Sequence, residues 1–350
     1  MLAAGFSVPE VFLTVAVINA GVAFYITRLL PGALARSFVS WLLEILFRVE
    51  VDGLKHYHEA GDKVLIVANH QSYLDPLLIA AYIPDNLTFA VNTYIARNRL
   101  VRFFLSMAKT FPLDPANPLS TRELIKSIRE REKVVLFPEG RITVTGSLMK
   151  VYEGAGMVAD RSGATILPVR IDGAQHSPFS HLKGKVRISL FPKVRLTFMP
   201  PRSFDVPEEL KGRARRQFSG QKLNDVMTDM VFRSSRYRQT LFRSLLDASR
   251  ANGRKHPVLE DVERQPLNYG RMLAGCFILG RELVRDTRPA EHVGLLLPNV
   301  NATAIAFFGL QAYGRVPAML NFSTGIKNLV SCCASSEIGV VYSSRRFVEM

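Results

Sequence analysis

The chain is poor in the residues that build metal sites and disulfide frameworks. It has three cysteines among 350 residues, namely Cys276, Cys332 and Cys333. They form no CxxC pair, so the usual zinc-site and disulfide patterns are missing. We therefore expect no bound metal and a reducing, cytosolic environment.

Two ligand-binding signatures are also missing. No Gly-rich phosphate loop occurs in the chain, so we expect these 350 residues not to activate fatty acids with ATP. There is no helix-turn-helix, zinc-ligand or aromatic-basic repeat of the kind found in nucleic-acid-binding proteins. Nucleic acid is therefore not an expected partner.

Acidic residues are scarce relative to basic ones. The chain has 45 Lys and Arg against 30 Asp and Glu, a formal net charge of +15. Between residues 173 and 204 there are six basic residues and no acid: Lys183, Lys185, Arg187, Lys193, Arg195 and Arg202. This excess favours an anionic partner, either a bilayer or an acidic protein, over a merely solvated surface.

A long uncharged run lies near the N-terminus. Residues 11–26 carry no charge, and with Leu29 and Leu30 the apolar stretch reaches about 20 residues, enough for a transmembrane helix. No Lys or Arg precedes it, which argues against a signal peptide. Three basic residues follow it: Arg28, Arg36 and Arg48. We predict a transmembrane segment in residues 1–32, with the remainder on the cytoplasmic side of the inner membrane.

A second apolar pattern follows at helical spacing. Its apolar positions are Leu34, Phe38, Trp41, Leu42, Ile45 and Leu46. Such a helix with a Trp and flanking Arg residues suits the membrane interface, but an ordinary core helix would show the same spacing. Both interpretations stay open at this stage.

Polar residues directly follow a short β-branched run at Lys63–Ala68. This position, at the carboxyl edge of a sheet, is where α/β proteins build their sites. A helix beginning near Asp75 would hold its carboxylate close to His70. An imidazole can take the proton from a lipid hydroxyl, and a carboxylate on the other ring nitrogen selects the tautomer. His70 and Asp75 are therefore the predicted catalytic pair, although His-x4-Asp alone is a weak pattern.

A second strand, Val134–Phe137, also ends in a polar loop. In that loop Gly140 allows close approach of a ligand to the backbone, and Arg141 is suited to bind a phosphate. A third strand at Ala164–Arg170 is expected to complete the sheet. The two polar loops then converge on one pocket.

Three segments together resemble the glycerolipid (PlsC-like) acyltransferases. They are Asn69-His70-x-Ser72-x-x-Asp75, Phe137-Pro138-Glu139-Gly140-Arg141-x-Thr143 and Ile166-Leu167-Pro168-Val169. The resemblance covers about residues 33–235 and implies an α/β domain with a central mixed sheet flanked by helices. It implies that His70 is the base, Asp75 its orienting partner, and Glu139, Gly140 and Arg141 the contacts to the acceptor's glycerophosphate. Asn69, Ser72 and Thr143 are expected to bind substrate as well.

One block of the family is not clear in this chain. The family's second block ends in a phosphate-binding Arg, for which Arg97 is the nearest candidate, and a surface Arg is the alternative. Phosphate binding is therefore expected to depend mainly on Arg141.

The resemblance implies acyl transfer without a bound cofactor. The donor would be acyl-ACP or acyl-CoA, and the acceptor the free hydroxyl of a lysophospholipid, with acyl carrier protein as a partner. A closer similarity is to a bifunctional (Aas-type) family. It is carried by Phe111–Pro115 and by the residues that follow the Phe137–Thr143 motif, up to Gly154-Ala155-Gly156. That family joins a 2-acylglycerophosphoethanolamine acyltransferase to an acyl-ACP synthetase. A 1-acyl-glycerol-3-phosphate acyltransferase is the alternative, and a non-enzymatic membrane-anchored module is a third.

Residues 236–350 show a different pattern. Strands at 293–297, 316–320 and 340–343 alternate with helices at 302–313 and 326–335, which predicts a parallel sheet. Two motifs in it, Gly294-Leu295-Leu296-Leu297-Pro298-Asn299 and Pro317-Ala318-Met319-Leu320-Asn321-Phe322, resemble the start of an AMP-binding (acyl-adenylating) domain, so residues 236–350 are expected to be its incomplete N-terminal part. Any α/β domain, or a fragment of an acyl-ACP synthetase (ligase), fits the same pattern.

Overall fold

The computed structural model describes residues 31–92, 109–113, 118–262 and 266–345, together with residues 15, 19 and 264. The predicted transmembrane segment lies almost wholly outside these residues, and so does Arg97. Within the described ranges, none of the helices combines the length and the apolar character that a membrane span requires.

The chain divides into two compact units between Ser235 and Arg236. In its described residues the first contains seven strands: β1 (Glu50–Asp52), β2 (Val64–Ala68), β3 (Thr88–Asn92), β4 (Lys109–Leu113), β5 (Val134–Leu136), β6 (Thr165–Asp172) and β7 (Arg195–Phe198). Its helices are α1 (Pro31–Phe47), α2 (Lys55–Glu59), α3 (Asp75–Tyr82), α4 (Pro118–Arg129), α5 (Glu153–Ser162) and α6 (Gly212–Ser234).

The seven strands form one mixed sheet in the order β1-β7-β6-β2-β5-β3-β4. The pairs from β6 to β4 are parallel, whereas β7 runs antiparallel to β6, and β1 is parallel to β7. The predicted α/β fold with a central mixed sheet is confirmed. All five residues of β2 are buried, because the strand lies in the middle of a sheet covered on both faces.

Alternate residues of β2 enter two separate cores. Val64, Ile66 and Ala68 face a core that includes residues of α1, α2 and α3. Leu65 and Val67 face a core that includes residues of α4, α5 and α6. On this second face α5 and α6 cross at glycines, because a Cβ added to Gly156 would lie 2.4 Å from the Ser219 carbonyl oxygen.

Helix α1 has two apolar faces, one typical of a core helix and one typical of a helix at a membrane interface. Leu43 and Phe47 are buried in the first core. On the other side, Phe38 is 61 % exposed, Ile45 56 % and Trp41 54 %. The helix therefore packs against the domain along one face and presents an apolar stripe along another.

Half of the basic segment is neutralised in space. Arg195 pairs with Glu50 at 2.7 Å, Lys193 also pairs with Glu50, and Arg202 pairs with Asp229. In contrast, Lys183, Lys185 and Arg187 are exposed and have no ion-pair partner in the part of the chain that the structure describes. Of the six cations in the basic segment, three therefore lack an acidic partner within the described ranges.

The second unit has its own cores. It contains α7 (Leu241–Asn252), β8 (Pro257–Leu259), β9 (Leu267–Asn268), α8 (Tyr269–Leu283), β10 (His292–Leu296), α9 (Asn301–Ala312), β11 (Val316–Met319), α10 (Ile326–Ser335) and β12 (Val340–Ser343). The last three strands form a parallel sheet in the order β11-β10-β12, as the alternating pattern predicts.

Candidate active site

The two polar loops meet at one edge of the first sheet. Strands β2 and β5 are neighbours and parallel, with Val67 opposite Leu136, so their carboxyl ends lie side by side. The loop after β2 carries His70 and the loop after β5 carries Glu139. On its other side β2 pairs with β6, which brings Ile171 to the same edge.

His70 and Asp75 form a hydrogen-bonded pair. Nδ1 of His70 lies 2.8 Å from Oδ2 of Asp75, whose side chain is fully buried. Asp75 is the first residue of α3, and its carboxylate also accepts hydrogen bonds from the backbone N–H groups of Gln71 and Ser72 and from the Ser72 hydroxyl. Because a carboxylate only accepts, this arrangement puts the imidazole proton on Nδ1 and leaves Nε2 as the acceptor.

The imidazole ring is also held from its face. The ring of Phe137 stacks on it with centroids 4.3 Å apart and an interplanar angle of 21°. The His70 side chain is 14 % exposed, and within the described ranges Nε2 has no hydrogen-bond partner. Nε2 is therefore free to accept a proton from a substrate.

Glu139 connects the two loops. Its carboxylate is buried and accepts the backbone N–H of His70 at 2.9 Å and that of Met149 at 2.8 Å. Burial raises the pKa of Glu139, and the two backbone N–H groups oppose this shift. A further bond joins the Thr143 N–H to the His70 carbonyl oxygen at 2.9 Å. Both backbone groups of His70 are thus held by the loop after β5.

The side chains of Asn69, Ser72 and Thr143 are fully buried and bonded within the protein. The Asn69 amide donates to the Ile171 carbonyl oxygen at 2.9 Å and accepts from the Ile171 N–H at 2.7 Å. The Thr143 hydroxyl donates to the Ser147 carbonyl oxygen at 2.9 Å. These contacts support the loops, and the substrate contacts expected from these three residues stay predictions.

Gly140 and Arg141 lie at the exposed end of the second loop. Gly140 adopts a φ of 66°, in the left-handed region, and a Cβ there would lie 3.2 Å from the Tyr152 ring. Arg141 is exposed, and its guanidinium has no hydrogen bond or ion pair to any described residue. Among the residues predicted to contact the phosphate, Arg141 therefore has an exposed guanidinium that a ligand can reach from solvent.

Sequence reasoning assigned no role to three residues near this edge. The sequence marks Phe137 only as part of a motif, although an aromatic residue directly before the loop after β5 is a possible signal for stacking on the His70 imidazole. Gln71 is fully buried, and neither polar atom of its side-chain amide has a hydrogen-bond partner among the described residues. Burial lowers the pKa of Arg170 on β6, and the charges of Asp172 and Glu139 oppose this shift. No spacing or composition signal pointed to Gln71 or Arg170.

Comparison with known proteins finds similarity to acyltransferases. Residues 48–172 match the Acyltransferase family model. A chloroplastic 1-acyl-sn-glycerol-3-phosphate acyltransferase of Arabidopsis thaliana is 26% identical over 144 residues, which are 40% of this chain and 40% of that protein. A 1-acyl-sn-glycerol-3-phosphate acyltransferase of Streptococcus pneumoniae is 26% identical over 151 residues, 39% of this chain and 55% of that protein. This chain thus spans about half the length of these curated relatives.

A solved structure is also similar. The 1-acyl-sn-glycerophosphate (LPA) acyltransferase PlsC from Thermotoga maritima superposes with a TM-score of 0.40 at 19% identity, covering 64% of this chain and 99% of that chain. The family match includes His70, Asp75, Glu139 and Arg141. The segment that matches the Acyltransferase family model, residues 48–172, thus contains the candidate active site.

Proposed function

We propose that the chain transfers a fatty acyl group from a thioester to the free hydroxyl of a lysophospholipid. The observation that carries this proposal is the 2.8 Å His70–Asp75 pair with Nε2 unoccupied at the sheet edge. Nε2 takes the hydroxyl proton while the oxygen attacks the thioester carbonyl carbon. The C–S bond then breaks, and the imidazolium returns the proton to the leaving thiolate. The products are an ester and a free thiol, so no covalent enzyme intermediate is needed.

The acceptor is proposed to be a lysophosphatidic-acid-type lipid. The exposed guanidinium of Arg141 suits a phosphate, and the names of the relatives specify 1-acyl-sn-glycerol-3-phosphate. A second candidate acceptor is 2-acylglycerophosphoethanolamine, favoured by the similarity of residues 137–156 to the bifunctional family. Both lipids contain the glycerophosphate that Arg141 would bind.

The donor is proposed to be acyl-ACP or acyl-CoA, with no bound cofactor. A thioester already has a good leaving group, so the site requires only a base and a positioned acceptor. Residues 236–350 are proposed to be part of an acyl-adenylating domain, supported by the parallel sheet β11-β10-β12. In the bifunctional family such a domain supplies the acyl donor.

We also propose that the domain works at the cytoplasmic face of the inner membrane. The exposed apolar face of α1 supports this, because Trp41, Phe38 and Ile45 would otherwise face water. The uncharged run at residues 11–26 supports it from the sequence side.

An acceptor panel tests the proposed function. The purified chain is incubated without ATP with one acyl thioester and, in turn, lysophosphatidic acid, lysophosphatidylethanolamine and lysophosphatidylglycerol. Thiol release and ester formation are measured together, with the His70→Ala variant as control. Ester formation that depends on His70 is the expected result. Failure of every lysolipid, or equal turnover by the variant, would reject acyl transfer by this site.

A further inference from the structure

Three unpaired cations lie on one loop beside the candidate active site. This basic loop, residues 177–194, connects the short 3₁₀ helix Ala174–His176 to β7. The cations Lys183, Lys185 and Arg187 are exposed and lack ion-pair partners within the described ranges. The other three basic residues between positions 173 and 204 form ion pairs with Glu50 or Asp229. The positive charge of this surface is therefore concentrated on the loop.

The basic loop also exposes apolar side chains. Leu190 is 64 % exposed and Phe191 39 %. The Phe191 ring packs edge-on against Phe47 at the end of α1, with centroids 5.5 Å apart, and Arg48 donates to the Phe191 carbonyl oxygen at 3.2 Å. The loop thus adjoins the helix whose other face carries the exposed apolar stripe.

The same loop is bonded to both catalytic loops. The Tyr73 N–H donates to the Phe179 carbonyl oxygen at 3.2 Å, and the Tyr73 hydroxyl lies 3.1 Å from Nε2 of His181. Nζ of Lys185 donates to the Val144 carbonyl oxygen at 2.8 Å. The basic loop is therefore held against the two loops that carry His70 and Arg141.

We propose that the basic loop docks onto an anionic lipid surface, with Leu190 inserted and the three cations at the headgroups. Cations alone would suit either an acidic protein or a bilayer. The exposed Leu190 and Phe191, and the contact with the end of α1, favour the bilayer, because exposed apolar side chains next to cations match an acyl-chain and headgroup boundary. Only the role of this docking, which is to bring a lipid acceptor to Nε2 of His70, rests on the proposed function.

A tryptophan placed on the loop reports insertion directly. Trp41 is the sole tryptophan, so Trp41→Phe combined with Leu190→Trp leaves one tryptophan, on the loop, which can be excited selectively over the tyrosines. The full chain is mixed with phosphatidylcholine vesicles, with or without phosphatidylglycerol, that carry bromine-labelled acyl chains, which quench a nearby indole. Quenching is expected only when the anionic lipid is present.

Neutralising the cations should reverse this quenching. Each basic residue near an anionic surface strengthens binding roughly fivefold, so Lys183→Gln, Lys185→Gln and Arg187→Gln together should weaken loop docking about a hundredfold. The matched control is Lys211→Gln, directly before α6, with Arg213→Gln and Arg216→Gln in α6, which packs on the face of the sheet opposite to α1. The control should leave quenching unchanged.

The readout does not depend on turnover, so His70→Ala should quench like its parent. Quenching that is absent, indifferent to anionic lipid, or unchanged in the loop triple variant would overturn the proposal. A loop emitter that responds to an acidic acyl carrier protein and not to vesicles would overturn it in favour of a protein partner. Loss of acyl transfer with normal quenching would instead count against the proposed function alone.

Discussion

The Asp75 side chain takes part in four hydrogen bonds. Its carboxylate accepts from the His70 ring, from two backbone N–H groups and from the Ser72 hydroxyl. Replacement by Asn would turn an NH2 group towards at least one of these donors. The bonding of Asp75 is therefore sensitive to the replacement of one carboxylate oxygen by an NH2 group.

We expect His70→Ala to lower kcat by about 10²- to 10⁴-fold, the contribution of a general base, without loss of fold. Asp75→Asn should lower kcat by a similar factor, because the Nδ1-protonated tautomer is no longer favoured. Steady-state acyl transfer measures the rates, and circular dichroism checks the fold. Near-normal turnover by either variant would exclude the proposed mechanism.

Glu139 is expected to make stability depend on pH. Burial raises its pKa above the ordinary value of 4.5, so the folded state binds this proton more tightly than the unfolded state. As pH rises from 4.5 through the raised pKa, the free energy of unfolding of the wild type should fall relative to that of Glu139→Gln. Urea titrations across this range measure the difference. Glu209→Gln, at an exposed position, is the control, and a pH-independent difference for Glu139→Gln would contradict the expectation.

The same variant should impair catalysis. Gln has one acceptor oxygen, so one of the two backbone N–H groups at His70 and Met149 loses its partner, at a cost of about 1–3 kcal/mol. Because the His70 backbone is one of the two, kcat should fall even where the protein remains folded. An unchanged kcat would mean that Glu139 supports the loops without influencing the imidazole.

At the scale of elements, the crossing of α5 and α6 supports the loop that follows β5. We expect Gly156→Ala to destabilise the protein by about 1–3 kcal/mol, because its Cβ would lie 2.4 Å from the Ser219 carbonyl oxygen. Gly154→Ala in the same helix meets nothing within 4 Å and should be neutral or stabilising by up to about 1 kcal/mol. Thermal unfolding compares the two, and equal melting temperatures would contradict the close packing.

Sequence patterns predicted the central elements because apolar runs and the polar residues that follow them are local signals. Strands β2, β5 and β6 and the proximity of His70 and Asp75 followed from such signals. The ion pairs of the basic segment did not, since Arg195 meets Glu50 only through the pairing of β1 with β7. The bonds of the Glu139 carboxylate to two backbone N–H groups did not follow from the sequence either, because a loop glutamate gives no sign of whether it faces a ligand or the backbone.

At the scale of the whole molecule, each unit contains its own cores. The first two cores are built from residues up to Met230 and the last two from residues from Phe242 onwards. We therefore expect a chain that ends at Ser235 to fold and to retain the kcat of the full chain for acyl transfer. Circular dichroism and the acceptor assay test this expectation. A shortened chain that is folded but inactive would mean that residues 236–350 contribute to turnover.

The bonds around His70 also determine when the site can form during synthesis. Asn69 is bonded to Ile171, 102 residues further along the chain, and the His70 N–H to Glu139, 69 residues away. Contacts of such long sequence separation form slowly, because closing a long loop costs entropy before the contacts compensate for it. We therefore expect these supports of the His70 loop to form only after the nascent chain has emerged from the ribosome beyond β6. Until then the His70–Asp75 contact, which spans five residues, would lack the bonds from Glu139 and Ile171 that hold its loop at the sheet edge.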